Sequence, residues 1–201
     1  DTISSLSELK AYGSKVLLVY GGGSIKKNGL YDTAMKILKD AGLTVFELSG
    51  VEPNPKIETV RKGVEICKNE GMDMVLAIGG GSTIDCSKVV AAGAKYDGDA
   101  WDLVLDGSKV KAALPIFDVL TLSATGTEMD PFAVISDMSK NEKWGTGSPY
   151  MVPTMSILNP EYTFSVSKKQ TAAGTADMMS HTMENYFSME NADCQKFMAE
   201  I

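Results

Sequence analysis

The sequence predicts an α/β fold built on a Rossmann-like parallel sheet with helices on both faces. Short apolar runs rich in β-branched residues alternate with segments whose apolar residues recur at helical spacing. Two of the runs end abruptly at a Gly-Gly-Gly-Ser sequence, at residues 21–24 and 79–82. In open sheets of this kind, ligands bind outside the carboxyl ends of the strands, so these two loops are the first place to look for a site.

The predicted elements follow one another in a regular alternation. Extended segments are predicted at residues 16–20, 43–48, 73–78, 115–120, 132–136 and 152–158. Between the first two, an apolar stripe closed by Gly42 predicts a helix, because glycine is common just past a helix end. Asn54 and Pro55 are typical of an N-cap and a first-turn proline, and predict the start of a second helix. Residues 83–94 predict a third helix, made largely of small residues.

The pattern changes to helical from about Lys168, which places a domain boundary near residues 159–165. We therefore expect a dinucleotide-binding α/β domain over residues 1–160 and the beginning of a helical domain over residues 161–201. Residues 195–201 lack a glycine, a proline or a capping pattern. We accordingly expect the natural chain to continue beyond them.

Composition excludes several classes of protein. The chain of 201 residues has a formal net charge of −7, and it has no large Lys/Arg cluster of the kind that a nucleic-acid binder shows. Its apolar runs are too short to cross a bilayer. Three widely spaced cysteines indicate reduced thiols and a cytoplasmic protein, rather than a disulfide framework.

The second glycine loop is the candidate pyrophosphate site. Its glycines let a phosphate approach the backbone, and the helix that follows offers free N–H groups. Neither loop matches the G-x-G-x-x-G or Walker pattern, so tight strand-to-helix packing stays an alternative reading of each. In the first loop no acidic residue is present, and Ser24, Lys26 and Lys27 could accept a 2′-phosphate, although either lysine alone is more often a solvated surface residue.

Asp177 and His181 are four residues apart on a predicted helix, and this spacing puts both side chains on one face. A carboxylate and an imidazole so placed can share one divalent metal ion. For an isolated pair a local hydrogen bond is the more frequent explanation. A catalytic metal also needs three or more protein ligands, which this pair does not supply.

Five segments in this order together resemble the iron-containing alcohol dehydrogenases, and most closely their NADPH-linked butanol dehydrogenase branch. The resemblance covers almost the whole chain, and it rests on residues 19–29, 52–55, 79–82, 121–128 and 174–181. It implies a dehydroquinate synthase-like fold, with the dinucleotide in a cleft between an α/β domain and an all-α domain. It also implies a homodimer as a possible assembly.

The resemblance further implies roles for individual residues. Cofactor-binding roles carry over to Gly21, Gly22, Ser24, Asn54, Gly80, Gly81, Ser82, Thr121, Thr125, Thr127 and Lys143. Asp177 and His181 match the first two ligands of a catalytic Fe²⁺ or Zn²⁺, and the other two are histidines further along in the family. Since the first loop has no Asp, NADP(H) is expected rather than NAD(H). The chain as it stands is expected to hold metal weakly and to be inactive.

The implied reaction is hydride transfer between NADP(H) and a small primary alcohol or aldehyde, with the metal as a Lewis acid. A glycerol dehydrogenase-like or other polyol dehydrogenase of the same fold is an alternative. A non-catalytic nucleotide-binding module is a second alternative. The segment at residues 124–128 and the spacing of Asp177 and His181 favour the alcohol dehydrogenase reading.

Overall fold

The computed structural model describes residues 2–187. Its contacts divide the chain into two compact units, residues 1–163 and residues 164–201, and each is described by itself. The helical pattern expected at residues 195–201 and the third cysteine, Cys194, lie outside the described residues.

The first unit is built on a five-stranded parallel sheet with the strand order β2-β1-β3-β4-β7. Its strands are β1 (Lys15–Tyr20), β2 (Thr44–Leu48), β3 (Met74–Gly79), β4 (Ile116–Leu120) and β7 (Met155–Ile157). The three central strands are buried along almost their whole length, which explains why they are continuous apolar runs in the sequence. The predicted parallel sheet is confirmed.

Helices cover both faces of this sheet, as predicted. They are α1 (Ser24–Lys27), α2 (Leu30–Asp40), α3 (Ile57–Glu70), α4 (Gly81–Gly93) and α5 (Ala100–Leu105), with a 3₁₀ helix at Thr2–Tyr12. Successive strand residues point to opposite faces, so Leu17 packs in the core under α3, α4 and α5, whereas Leu18 packs under α2 and the 3₁₀ helix. Burying one such side chain contributes about 1.5–3 kcal/mol.

A two-stranded antiparallel hairpin stands apart from the main sheet. It consists of β5 (Phe132–Asp137) and β6 (Glu142–Gly147). The sequence predicted the first of these strands but missed the second, because its residues are mostly polar or glycine and largely exposed. The strand predicted at residues 152–158 is shorter than expected, since only the three residues of β7 pair with β4.

The predicted start of α3 was wrong by two residues. Lys56 is the N-cap, in extended conformation, whereas Asn54 lies in the left-handed region with φ 55°. Asparagine tolerates this conformation better than most residues. Asn54 therefore shapes the loop before the helix rather than capping it.

Three smaller features complete the described part of the chain. α5 and the 3₁₀ helix were not predicted, because a six-residue helix and a 3₁₀ helix give little periodicity. Cys67 and Cys86 are buried free thiols, and burial raises the pKa of each to about 12. No helix within residues 2–187 combines the length and hydropathy needed to span a membrane.

The second unit contains one long described helix, α6 (Lys168–Tyr186). It begins at the residue where the sequence predicted the change of pattern. Ser167 lies just before it, and its hydroxyl accepts a hydrogen bond from the backbone N–H of Gln170, as an N-cap serine does.

Candidate functional site

The carboxyl ends of β1, β3 and β4 meet at one edge of the sheet and carry the predicted loops. β1 lies between β2 and β3 in the sheet, although β2 comes between them in sequence. The chain therefore adds β2 on one side of β1 and then returns to add β3 on the other side. The boundary between β1 and β3 is a topological switch point, and ligands of open α/β folds bind at such a point. Both Gly-Gly-Gly-Ser loops leave the sheet there, directly after Tyr20 and Ile78, which are paired in register.

The first glycine loop is hydrogen-bonded to its neighbours at Gly21, whereas free space surrounds Gly22. Gly21 accepts a hydrogen bond from Gly50 N–H at 3.2 Å, and a Cβ on Gly21 would lie 3.3 Å from the carbonyl oxygen of Val51. A Cβ on Gly22 would meet nothing within 4 Å. Gly23 has φ +101° and precedes Ser24, the first residue of α1. The open space at Gly22 is room into which a ligand can enter.

The second glycine loop forms the N-terminus of α4. Gly80 is its N-cap, in extended conformation, and Gly81 and Ser82 form its first turn. The first N–H groups of a helix lack partners within the helix and, with the helix dipole, attract anions. Ser82 is half-buried at this end of the helix. The arrangement is suited to a phosphate or pyrophosphate.

A third segment, residues 121–128, leaves the end of β4 and lies directly on the second glycine loop. Thr121 N–H donates to the Gly79 carbonyl at 2.9 Å. A Cβ on Gly81 would lie 2.8 Å from Thr125 Oγ1, and one on Gly80 would lie 3.2 Å from Leu122 Cβ. A side chain at Gly81 would therefore clash with Thr125, and one at Gly80 would be tightly packed against Leu122.

The threonines of this segment differ in exposure. Thr125 is exposed, and Thr121 is half-buried. Thr127 is only 3% exposed, and its hydroxyl donates to Asp85 Oδ1 at 2.6 Å. Thr121 and Thr125 are thus open to a ligand, whereas Thr127 is occupied by a carboxylate of α4.

Two charged residues of α4 that sequence reasoning missed hold this region together. Asp85 also accepts from Val134 N–H, at 2.9 Å, and burial, the largest cause, raises its pKa. Lys88 is 0% exposed, and its ammonium group forms an ion pair with Asp130 at 2.9 Å. No clear signal for this role is present in the sequence, because charged residues on a helix are normally solvated.

Lys143 and Asn54 come together from distant parts of the chain. Lys143, on β6, donates a hydrogen bond from Nζ to Asn54 Oδ1 at 2.8 Å. An isolated bridge between Lys56 and Ser136 joins the same two regions. Two of the predicted cofactor residues, 89 positions apart, therefore form one exposed polar group.

The ammonium group of Lys26 lies over two tyrosine rings. Its ammonium nitrogen lies 4.9 Å and 4.5 Å from the ring centroids of Tyr20 and Tyr31. The hydroxyls of both tyrosines donate to Glu47, at 2.6 Å and 2.8 Å. The hydrogen bond from Tyr20 is the largest cause that lowers the pKa of Glu47, so this carboxylate stays ionised beside the lysine.

A buried carboxyl group lies within β4, below the threonine segment. Asp118 is 1% exposed, and burial, opposed by a hydrogen bond with Ser156, raises its pKa to about 7. Ser156 Oγ lies 2.6 Å from Asp118 Oδ2 and 2.8 Å from the Glu128 carbonyl oxygen. One hydroxyl hydrogen serves one acceptor, and the carbonyl can only accept. Ser156 can therefore donate to only one of these two oxygens at a time.

The second unit contains the predicted metal-ligand pair. His181 Nε2 lies 3.7 Å from Asp177 Oδ2, and His181 Nδ1 lies 3.9 Å from Glu184 Oε2. All three side chains are more than half exposed. A carboxylate oxygen and an imidazole nitrogen on one helix face fit a divalent transition metal. Within the described residues no group of three or more His, Cys, Asp or Glu side chains is arranged to hold a metal ion.

Comparison with known proteins decides the family. The family model described as "Iron-containing alcohol dehydrogenase" matches residues 2–160. This chain belongs to the iron-containing alcohol dehydrogenase family. The family expected from the five motifs is thus confirmed, and it agrees with the sheet order and the loop positions described above.

Three members of the iron-containing alcohol dehydrogenase family illustrate the similarity. NADH-dependent butanol dehydrogenase A of Clostridium acetobutylicum is 63% identical over 194 residues, which are 96% of this chain and 50% of that protein. The NADPH-dependent aldehyde reductase YqhD of Escherichia coli is 39% identical over 92% of this chain and 48% of its own length. The crystal structure of an NADH-dependent butanol dehydrogenase A from Thermotoga maritima superposes with a TM-score of 0.92 at 46% identity, covering 99% of this chain and 50% of that one.

The chain thus spans about half the length of these relatives. Within the first unit, the structure brings the two glycine loops and the threonine segment to one sheet edge and pairs Asn54 with Lys143. Asp177 and His181 lie together on α6, in the second unit.

Proposed function

We propose that the protein transfers a hydride between a nicotinamide dinucleotide and a small primary alcohol or aldehyde, with a divalent metal ion in the active site. The observation that carries the proposal is the meeting of two glycine loops and a threonine segment at the carboxyl ends of β1, β3 and β4. Relatives named as butanol dehydrogenases and as an aldehyde reductase support the substrate class.

The first unit supplies the nucleotide site in this proposal. The N-terminus of α4, with Gly80, Gly81 and Ser82, binds the pyrophosphate. The open space at Gly22 admits the adenosine end, beside Gly21 and Ser24. The nicotinamide riboside lies along the threonine segment, against Thr121 and Thr125, while Thr127, whose hydroxyl donates to Asp85, attaches the segment to α4. Lys143 and Asn54 contact a ribose hydroxyl.

We propose that residues 1–160 form the nucleotide-binding domain and that residues 161–201 begin the domain that holds the metal. Asp177 and His181 would be two of the ligands of Fe²⁺ or Zn²⁺. When bound, such an ion polarises the substrate oxygen as a Lewis acid. The pair alone leaves the coordination incomplete, and within residues 2–187 no group of three such side chains is arranged to complete it.

The nucleotide preference is the point on which the structure adds most to the sequence. The absence of an acidic residue in the first loop favours NADP(H). Lys26, however, is engaged by two tyrosine rings, and the ionised Glu47 offsets its charge. A relative 63% identical is named as NADH-dependent. We therefore propose NAD(H) as the preferred cofactor, in place of the NADP(H) predicted from the loop alone.

Titration of the purified protein with NADH and with NADPH, followed by nucleotide fluorescence, tests the nucleotide site. Each titration is repeated with added Fe²⁺ and with Zn²⁺, and butan-1-ol oxidation and butanal reduction are then assayed. We expect metal-independent nucleotide binding that is tighter for NADH, and metal-dependent turnover only where the metal coordination is complete. A protein that binds neither nucleotide overturns the proposed function. Tighter binding of NADPH overturns the preference only.

A further inference from the structure

Between Gly81 and Lys88, one face of α4 contacts the threonine segment and the start of β5. Gly81, Asp85 and Lys88 are spaced by four and three residues, so they form one stripe on the helix surface. A Cβ on Gly81 would lie 2.8 Å from Thr125 Oγ1, so the helix and the segment approach closely at this position. Asp85 and Lys88 contact residues 127–134, further along the same stretch of chain.

Each of the three hydrogens of the Lys88 ammonium group has an acceptor. Its ammonium group lies 2.7 Å from the Asp130 carbonyl, 2.9 Å from Asp130 Oδ1 and 2.8 Å from the Phe132 carbonyl. An ammonium group has three hydrogens, and the side chain is fully buried. Asp130 Oδ1 also accepts from Phe132 N–H at 2.8 Å, so the lysine secures a turn that is already formed.

Asp85 is engaged through both of its oxygens. Oδ1 accepts from the Thr127 hydroxyl at 2.6 Å, and Oδ2 accepts from Val134 N–H at 2.9 Å. α4 is therefore hydrogen-bonded to residues 127–134 on both sides of the turn at Asp130. The glycines at the N-terminus of α4 and the threonines opposite them consequently keep one fixed separation.

We propose that Asp85 and Lys88 are positioning residues that hold the threonine segment at the correct distance from the α4 N-terminus for nucleotide binding. This inference rests on the proposed function. In this arrangement both residues act through residues 127–134, which their side chains bind, and not by contact with the nucleotide. Misplacing binding groups by about 1 Å can cost about 100-fold in rate, so a segment released from α4 binds the nucleotide poorly.

Three variants of the purified protein test the proposal. Lys88→Met removes the ammonium group and keeps most of the volume, and Asp85→Asn removes one acceptor but keeps the shape. Ser87→Ala is the matched control, because Ser87 is also fully buried on α4 and donates only to the Thr83 carbonyl within the helix. Thermal unfolding of each variant gives the loss of stability with which the other effects are compared.

Two measurements are made on each variant. Hydrogen exchange reports the protection of amides in residues 121–134, and a fluorescence titration gives the nucleotide dissociation constant. We expect Lys88→Met to speed exchange in this segment by about tenfold or more and to weaken nucleotide binding by about tenfold or more. Asp85→Asn should show a smaller effect of the same kind. Ser87→Ala should leave both unchanged even where its melting temperature falls.

The possible failures are distinguishable. Unchanged exchange in folded Lys88→Met and Asp85→Asn overturns the inference. Faster exchange with unchanged nucleotide affinity also overturns it, because the residues are then structural only. Equal losses of affinity in Ser87→Ala and Lys88→Met overturn it as well. A wild-type protein that binds no nucleotide overturns the proposed function instead, and the exchange data alone then decide whether α4 holds the segment. Should Lys88→Met not fold, Asp85→Asn carries the test.

Discussion

Lys143 Nζ and Asn54 Oδ1 are joined by a 2.8 Å hydrogen bond, although 89 positions separate the two residues in the chain. The bond places the hairpin β5–β6 next to the loop before α3. Asn54 has a left-handed backbone with φ 55°, so the loop is bent at the residue that accepts the bond. The two residues thus present one cation and one amide together at the protein surface.

Replacing Lys143 with methionine should weaken nucleotide binding by about ten- to 100-fold, because hydrogen bonds to charged groups contribute about 1.5–3 kcal/mol. Lys143 is exposed, so the melting temperature should change little. Lys140→Met is the control. It removes a lysine from the turn of the same hairpin, where Lys140 pairs with Asp137. Equal affinity in Lys143→Met and wild type, measured by fluorescence titration, would remove Lys143 from the site.

The two glycine loops should respond differently to an added methyl group. Gly81→Ala places a Cβ 2.8 Å from Thr125 Oγ1, so it should lower both the melting temperature and nucleotide affinity. Gly22→Ala meets nothing within 4 Å in the protein itself. It should therefore leave the melting temperature near that of wild type and weaken only nucleotide binding. A Gly22→Ala protein with full affinity would show that the nucleotide does not approach this loop.

Asp118 should make stability depend on pH in an unusual direction. Its pKa is about 7 in the folded protein against a reference value of 3.8, so between these values the folded chain keeps a proton that the unfolded chain has lost. The free energy of unfolding therefore falls as pH rises across this window. Asp118→Asn, which mimics the protonated acid, should remove that part of the slope in urea unfolding measured from pH 4 to 8.

Asp73 provides the control of opposite sign for the pH experiment. Hydrogen bonds from the backbone N–H groups of Ser14 and Lys15 lower its pKa. Its contribution to stability is present above its reference pKa of 3.8 and is lost as pH falls. Asp73→Asn should therefore remove an acid-side loss of stability and leave the slope between pH 4 and 7 in place. An unchanged slope in Asp118→Asn would show that other groups cause it.

Metal analysis of purified variants can show whether Asp177 or Glu184 is the carboxylate that binds metal together with His181. Asp177→Ala and His181→Ala should each weaken the binding of added Fe²⁺ or Zn²⁺ below that of the unsubstituted chain, since each removes one of few ligands. Glu184→Gln alters the carboxylate near the other ring nitrogen, at 3.9 Å. It should retain most of the metal. Loss of metal in Glu184→Gln with retention in Asp177→Ala would assign the carboxylate ligand to Glu184.

The fold was largely predictable because buried parallel strands are distinctive in sequence. β1, β3 and β4 are continuous apolar runs, and the glycines that follow the first two mark their ends. β6 was not predictable in this way, because its sequence Glu-Lys-Trp-Gly-Thr-Gly lacks both an apolar run and an alternation. Its stability comes from pairing with β5, and sequence periodicity does not report pairing.

The sequence predicted the loops of the candidate site but not the residues that hold these loops in place. Strand ends and glycines indicated where a ligand binds, because sheet topology brings them to one edge. The role of Lys88 depends on three acceptors more than 40 residues away, and only the folded chain brings them together. A lysine on a helix is normally solvated, so the pattern alone favoured the wrong environment for it.

The proposed preference for NADH depends on Glu47, and this dependence can be tested by freeing Lys26. Glu47→Gln removes the negative charge beside Lys26 and weakens the hydrogen bonds from Tyr20 and Tyr31. The lysine is then available to a 2′-phosphate. We expect the ratio of NADPH to NADH affinity to rise by about tenfold, since a charge-assisted contact is worth on the order of 1.5 kcal/mol. The double variant Glu47→Gln/Lys26→Met should return the ratio to the wild-type value. A ratio that Glu47→Gln leaves unchanged would mean that Lys26 plays no part in selecting the nucleotide.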